Sequence, residues 1–229
     1  MSDRMDAALD LLNLPLFTIL GEHVTVLEIF GFVTGALCVW AVSRQWIWNW
    51  PVGLVNNLAF LLLFLGAGLY ADAGLQAVFF VLGVYGWIVW VRRRRGAAGA
   101  SALVAPIQRA GRRDVVIAIT ATALGTVAVA WLLATETDSA VPWPDAFVLS
   151  ASLVATWLQA RKVLEHWWIW IAVDVVSVPL YAVKHLYLTA ILYTGFLALC
   201  VYGLVGWRRD LRRQQTPAEP AVASAVTPA

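Results

Sequence analysis

Residues 167–209, WWIWIAVDVVSVPLYAVKHLYLTAILYTGFLALCVYGLVGWRR, repeat the pattern of residues 50–92, WPVGLVNNLAFLLLFLGAGLYADAGLQAVFFVLGVYGWIVWVR. With a constant offset of 117 and no gap, the match extends to 28–92 over 145–209, with 16 identities in 65 positions. The identities include Phe30/Phe147, Trp40/Trp157, Arg44/Arg161, Trp50/Trp167, Tyr70/Tyr187, Phe79/Phe196, Tyr85/Tyr202, Gly86/Gly203 and Trp90/Trp207. Apolar segments aligned by chance pair Leu with Val freely, but rarely pair this many aromatic residues. Duplicated membrane units around a shared centre are a mark of secondary transporters, which place substrate between the repeats.

The repeat sits in a chain that is 61% hydrophobic and 13% charged, with a mean hydropathy of +0.76. Soluble domains carry about twice that share of charge. The apolar runs are long enough to cross a bilayer, which takes about 20 residues each. Spans are expected at 24–42, 46–66, 73–91, 114–134, 145–161, 167–184 and 188–207. The fourth contains VVIAITATALGTVAVAWLLA (115–134), which lacks the aromatic and amide residues of the repeats and reads as a connector. Parity explains it: three crossings leave the chain on the wrong side, and one more lets the second unit run parallel to the first. The expected fold is all-α, a polytopic membrane protein of seven helices arranged three, one, three.

The corresponding divisions are an outer segment (1–23), a first repeat (24–91), a basic linker (92–112), the connecting helix with its loop (113–144), a second repeat (145–207) and a disordered tail (208–229). The tail after about 214 and residues 96–111 are small, polar and without anything to bury, so both read as exposed. Arg92–Arg95, Arg109, Arg112 and Arg113 follow the third span, and Arg208, Arg209, Arg212 and Arg213 follow the seventh. With Arg44, Arg161 and Lys162 they fall on one side, which the positive-inside rule makes cytoplasmic. The N-terminus is then outside and the C-terminus inside, in a cytoplasmic (inner) membrane. These basic runs orient the bundle and need no nucleic acid. The first residues lack the order of a cleavable signal peptide, and Cys38 and Cys200 lie in apolar runs that imply neither disulfide nor metal. His23, His166 and His185 form no ligand cluster, and no cofactor is called for.

Polar groups inside spans carry the functional reading, because each needs a partner, a cavity or a task. Asp174 lies mid-span, and its repeat equivalent is Asn57, beside Asn56. Trp50, Gly53 and Asn57 share one helical face; Trp167, Trp170, Asp174 and Tyr181 share another. Gln76 and Tyr193 are equivalent positions in the third and seventh spans. Substrate contacts are therefore expected at Trp50, Asn57, Gln76, Trp167, Trp170, Asp174, Tyr181 and Tyr193. Indole faces suit an aromatic or cationic solute, and Asp174 offers a counter-charge. Interhelical hydrogen bonding is the competing role for the amide and carboxylate. Trp46, Trp48, Trp87, Trp90 and Trp207 read as interfacial anchors, Glu28 and Asp145 as first-turn carboxylates, and Pro51 and Pro179 as possible points of bending.

At these residues the chain resembles a known family. ATWLQARKVLEHWWIWIAVDVVSVPLYAVKHLYLTAILYTGFLALCVYGLVGWRR (155–209) resembles the C-terminal half of the PnuC nicotinamide riboside transporters, and NWPVGLVNNLAFLLLFLGAGLYADAGLQAVFFVLGVYGWIVW (49–90) resembles the N-terminal half. The likeness spans roughly residues 24–209. It implies the arrangement of the SWEET sugar carriers, a homotrimer, and facilitated diffusion of nicotinamide riboside, trapped by kinases inside the cell. Relatives carrying thiamine, riboflavin or deoxynucleosides leave the solute open. His166 departs from the pattern, where an Asn is expected. No Gly-rich phosphate loop with a Lys suggests a pump, and Asp174 leaves proton coupling as an alternative. A membrane-embedded enzyme lacks clustered acid, base and nucleophile, and a channel would need a polar pore in place of aromatic crowding.

Overall fold

The computed structural model describes residues 15–19, 22–66, 70–96, 106–137 and 141–216. Seven helices follow a small hairpin: β1 (Pro15–Ile19), β2 (Glu22–Thr25), α1 (Val26–Ser43), α2 (Asn49–Gly66), α3 (Tyr70–Gly96), α4 (Arg112–Glu136), α5 (Pro142–Ala160), α6 (His166–Val183) and α7 (Tyr187–Gln215). Each expected span has its helix. The antiparallel hairpin, which pairs Pro15 with Thr25 and Ile19 with Glu22, was not anticipated, because its strands are too short to show alternation.

α2, α3, α4, α6 and α7 are long and apolar enough to cross a membrane, and Ile29–Ser43 is a shorter apolar stretch. α5 is absent from that set for a physical reason. It carries Asp145, Ser150, Ser152, Thr156 and Gln159, and it is central: Ala146, Ala151, Ala155 and Ala160 are wholly buried. Packing against α3, α4 and α6 hides it from lipid, so it needs less apolar surface.

The two three-helix units pack reciprocally. Within them α1 meets α2 and α2 meets α3, as α5 meets α6 and α6 meets α7; between them α1 lies on α7 and α3 on α5. The first helix of each unit thus rests on the third of the other, the contact pattern of an approximate twofold axis. α4 packs on the outer side of α5.

Local geometry repeats with equal fidelity. α1 and α5 both end in a left-handed residue at equivalent positions, Gln45 (φ 57°) and Lys162 (φ 55°). In each turn an amide reaches back five residues, Trp46 N to Ala41 O at 2.8 Å and Val163 N to Leu158 O at 3.0 Å. This is the helix-terminating motif that glycine usually serves. Non-glycine residues bear a steric penalty there, so their side chains must return something.

Trp90 and Trp207 are not interfacial anchors: they are 3% and 0% exposed. Trp90 Nε1 donates to Gln159 O at 3.2 Å, and Trp207 Nε1 donates to Val42 O at 3.0 Å. Each indole reaches across to the C-terminal end of a helix in the other unit and adds a second donor to a carbonyl that already accepts a turn amide, Gln45 N at Val42 O (2.8 Å) and Lys162 N at Gln159 O (2.9 Å). Trp46 and Trp48 do face outward, at 46% and 69% exposed.

The termini of the elements also differ from expectation. α7 continues to Gln215 through its basic run, so residues 208–215 of the expected tail are helix and its remainder from 217 lies outside the described residues. Residues 106–111 are not a free linker. Ile107 is buried, and Gln108 bridges the turn after α5, donating to Lys162 O (2.9 Å) and accepting from Leu164 N (2.8 Å). Glu165 fixes the same segment through Arg109 and Ala110 N, both at 2.7 Å. Pro51 falls in the first turn of α2, where no intrahelical bond is lost, whereas Pro179 is inside α6. Asp145 keeps its first-turn place in α5 and also accepts from Lys184 Nζ at 2.7 Å. Glu28 lies in α1, its side chain outside the described set.

Gly86 and Gly203 allow the tryptophan packing at the axis. A β-carbon on Gly86 would fall within the Trp50 ring, and one on Gly203 within the Trp167 ring. Overpacking a core typically destabilises by about 1–3 kcal/mol. Gly86→Ala and Gly203→Ala are each expected to lower the unfolding temperature of the detergent-purified protein by several degrees in a thermal melt; an unchanged melt in both would contradict this packing.

Candidate functional site

Between the two units lies a cavity of about 380 Å³. Its lining respects the internal repeat. Nine equivalent pairs face it: Gly35/Ser152, Val39/Thr156, Val42/Gln159, Trp50/Trp167, Gly53/Trp170, Asn56/Val173, Asn57/Asp174, Phe79/Phe196 and Gly83/Cys200. Cys38, Asn49, Leu54 and Tyr193 complete the wall. A cavity on the axis between packed repeats is where such folds hold solutes.

Six of the eight sequence-predicted residues line it: Trp50, Asn57, Trp167, Trp170, Asp174 and Tyr193. Tyr181 stands one ring behind, with its centroid 4.9 Å from that of Tyr193. Gln76 is half-buried and outside the lining. Its equivalence to Tyr193 holds in sequence, but the shorter amide leaves the wall at that point to others.

The pairs are equivalent in place and unequal in chemistry. The first unit contributes Gly35, Gly53 and Gly83, where the second places Ser152, Trp170 and Cys200; of the three glycines Gly53 leaves open space, while Gly35 and Gly83 let Phe196 and Leu54 approach closely. Trp170 is tethered, its Nε1 donating to Gln159 Oε1 at 3.2 Å. Asn56 is committed to Thr34, donating at 2.6 Å, so Asn57 is the amide left to the cavity. Asp174 is 3% exposed; its Oδ2 has no hydrogen-bond partner among the described residues, and the Cys200 thiol lies beside its carboxyl. Trp50 Nε1 and Trp167 Nε1 are likewise buried without partners. Buried polar atoms are rarely left unpaired unless a ligand or water serves them, and here two indole donors and a carboxylate oxygen belong to residues that line one cavity.

The three tryptophans divide into two roles. Trp50 and Trp167 are 4% and 1% exposed and stand edge-on to Trp90 and Trp207, with centroids 5.6 and 5.8 Å away. Their faces are occupied by protein, so they are frame residues that also offer a donor. Trp170, half-buried, is the free shelf.

His166 takes over the Asn role. Asn49 Nδ2 donates to Trp46 O at 2.6 Å, and His166 Nδ1 stands 2.7 Å from Val163 O, the equivalent carbonyl. The imidazole also packs against Trp167 and Trp207, at 4.6 and 4.8 Å between centroids. The substitution thus preserves the turn and adds an aromatic surface.

The Arg-rich end of the cavity is closed by the tryptophan frame. Val42 and Gln159, whose carbonyls accept the Trp207 and Trp90 indoles, also line the cavity. Beyond them Lys162, in the turn between α5 and α6, is 1% exposed, with Nζ 4.5 Å from the Trp90 centroid and 5.8 Å from that of Trp207. It donates to Gln45 Oε1 at 2.9 Å, its own repeat equivalent, while Gln45 Nε2 donates to Asp210 Oδ2 at 2.8 Å. Burial pulls the Lys162 ammonium down to about 7, Arg93 adds to that, and Asp210 opposes it.

Sequence reading missed Ser152, Thr156, Cys200, Phe79 and Phe196. The two phenylalanines were visible as identities at the repeat offset. The small polar residues gave no signal, since serine and threonine in a span usually bond their own helix, as Thr156 Oγ1 does to Ser152 O at 2.8 Å.

The sequence model of the nicotinamide mononucleotide transporter family matches residues 25–209. The chain belongs to this family. The riboflavin/roseoflavin transporter RibM of Streptomyces davaonensis is 33% identical over 207 residues, covering 90% of this chain and 95% of RibM. The nicotinamide riboside transporter PnuC of Escherichia coli is 28% identical over 214 residues, covering 85% and 90%. The crystal structure of the vitamin B3 transporter PnuC superposes with a TM-score of 0.63 at 26% identity, covering 82% of each chain. This member of the nicotinamide mononucleotide transporter family is accordingly a multi-pass membrane transporter and not an enzyme.

Two outcomes follow from the cavity and its closed end. A β-carbon on Gly53 meets only Cys38 Sγ, at 3.8 Å. Gly53→Leu is therefore expected to leave the thermal melt within about 0.5 kcal/mol of the parent, yet to reduce solute binding at least tenfold in a scintillation proximity assay. Unaltered binding would place the solute elsewhere. For Lys162 the sign is fixed by its lowered folded-state value. Between about pH 7 and its ordinary value of 10.5 the unfolded chain holds a proton that the folded chain has released. Stability contributed there rises with pH and is lost as pH falls through about 7. Melting temperatures across that range should climb more steeply in the parent than in Lys162→Gln; parallel curves would refute the assignment.

Proposed function

We propose that this chain carries nicotinamide riboside across a cytoplasmic membrane by facilitated diffusion, alternately exposing the cavity as the two units rock. The observation that carries this reading is Asp174 Oδ2, buried without a hydrogen-bond partner among the described residues, in a cavity that Trp170 and Asn57 also line. Nicotinamide riboside is a pyridinium cation on a ribose. Trp170 stacks on its ring, Asp174 supplies the counter-charge, and Asn57 with the Trp50 and Trp167 indoles meets the hydroxyls and carboxamide. The solute named in the PnuC relatives agrees with this chemistry. Gln76 and Tyr181 then act from behind the wall, Tyr181 by orienting Tyr193.

The frame for this motion is a three-plus-one-plus-three arrangement like that of the SWEET carriers. It is supported by the reciprocal α1–α7 and α3–α5 packing, with α4 lying outside as connector. The clustered arginines favour a cytoplasmic C-terminus and an outer N-terminus. The homotrimer rests on family likeness.

Riboflavin is the second reading, favoured by the 33% identity that extends over 95% of RibM. Riboflavin carries no cationic ring, so charge separates the two. Radiolabelled nicotinamide riboside is expected to enter proteoliposomes containing only this protein, saturably and with counterflow, and to equilibrate without a proton gradient. Asp174→Asn should weaken it roughly tenfold or more, through the loss of a counter-charge in a site of low dielectric, and leave riboflavin competition unaltered. Saturable riboflavin uptake with no nicotinamide riboside entry would overturn the solute while leaving the transporter intact. Dependence on an imposed proton gradient would overturn facilitated diffusion.

A further inference from the structure

The two units differ in what covers the outer side of their first helix. In the second unit, α4 lies over Ser150, Val154 and Trp157 of α5, and its first turn delivers Asp114 to Arg161, Nη1 to Oδ1 at 2.5 Å. The equivalent residues on α1 are Val33, Leu37, Trp40 and Arg44. Among the described residues no helix lies across them: Val33, Leu37 and Trp40 are 53%, 48% and 39% exposed, and Arg44 has no ion-pair partner.

At the Arg-rich end of this uncovered face, α1 and α7 enclose a groove of about 550 Å³. Arg44, Arg209 and Arg213 line it, with Trp46 and Tyr202 as aromatic walls. All three arginines are exposed and make no ion pair among the described residues. Asp210, the acidic member of the lining, accepts from Gln45 and makes no ion pair with them, so the three arginines outnumber it in the groove.

We propose that this groove binds an anionic phospholipid, its phosphate held by Arg44, Arg209 and Arg213 and an acyl chain lying along the exposed apolar face of α1. The second unit shows what the position requires. There an anion, the Asp114 carboxylate, meets the equivalent arginine, and an apolar helix covers the equivalent face. A phospholipid supplies both parts in one molecule. Free phosphate supplies the first alone. α4 of another copy does not serve, because its Asp114 is already committed to Arg161. Basic pockets between helices beside the cytoplasmic leaflet are suited to such headgroups, and Trp46 and Tyr202 have the amphipathic rings that favour headgroup depth.

The test is native mass spectrometry of the full-length protein released from vesicles containing phosphatidylglycerol, cardiolipin and phosphatidylcholine. The parent should retain anionic lipid in preference to phosphatidylcholine. The triple variant Arg44→Gln, Arg209→Gln, Arg213→Gln should hold it roughly tenfold to a hundredfold more weakly. A matched variant, Arg92→Gln, Arg94→Gln, Arg95→Gln, removes the same charge from other exposed positions and should retain it. Equal loss in both variants would reduce the effect to net charge and overturn the site, as would full retention in the first. Displacement of the lipid by millimolar inorganic phosphate would overturn the lipid and leave only a phosphate site. Circular dichroism and thermal melts of each variant exclude misfolding as the cause of any loss.

Discussion

Two hydrogen bonds organise this molecule: the Trp90 indole to the Gln159 carbonyl and the Trp207 indole to the Val42 carbonyl. Each takes a donor from the third helix of one unit and adds it to a turn carbonyl at the end of the first helix of the other. In an apolar surrounding the indole N–H cannot turn to water instead, so separating the units leaves that donor unsatisfied. The same indoles pack on Trp50 and Trp167, which glycine at positions 86 and 203 admits. The carbonyls belong to residues that line the cavity. One constraint therefore sets the spacing of the units, the width of the cavity and the closure of its Arg-rich end.

Around that symmetric frame the cavity is made asymmetric by side-chain substitution alone. Gly53 stands where the other unit has Trp170, Val42 where it has Gln159, and Asn57 where it has Asp174, on equivalent backbone. A solute with one aromatic end and one hydroxylated end needs such inequality, since a symmetric cavity would have no reason to hold it one way round. The polar and aromatic groups concentrate in the second unit, and the first leaves open space at Gly53.

Much of this was legible in the chain because membrane helices declare themselves by length and because duplication supplies an internal comparison. Seven helices and the roles of Asn57, Trp170 and Asp174 as cavity neighbours follow from hydropathy, spacing and the 117-residue offset. Trp90 and Trp207 misled, since composition cannot tell an indole facing headgroups from one facing a carbonyl. The information was nonetheless present: both are repeat identities, and an anchor in lipid has little need to be the same in two copies. Residues 106–111 misled for another reason. Their docking depends on backbone pairing at Gln108 and on Glu165, and backbone pairing leaves no trace in hydrophobic pattern. The short hairpin likewise fell below the length at which alternation is readable.

Gln45 and Lys162 close this line of reasoning, because they occupy the same position in the two units and touch each other at the axis. An ancestral assembly of two identical single units would have presented that position to its own copy. Glutamine against glutamine is tolerable there, since an amide both donates and accepts. Lysine against lysine is not: two buried ammonium groups would repel, and neither has an acceptor to offer. The lysine therefore suits halves that differ from one another and would not suit an assembly of two identical units. The present contact at the axis depends on the two positions being unequal, donor-only on one side and donor and acceptor on the other.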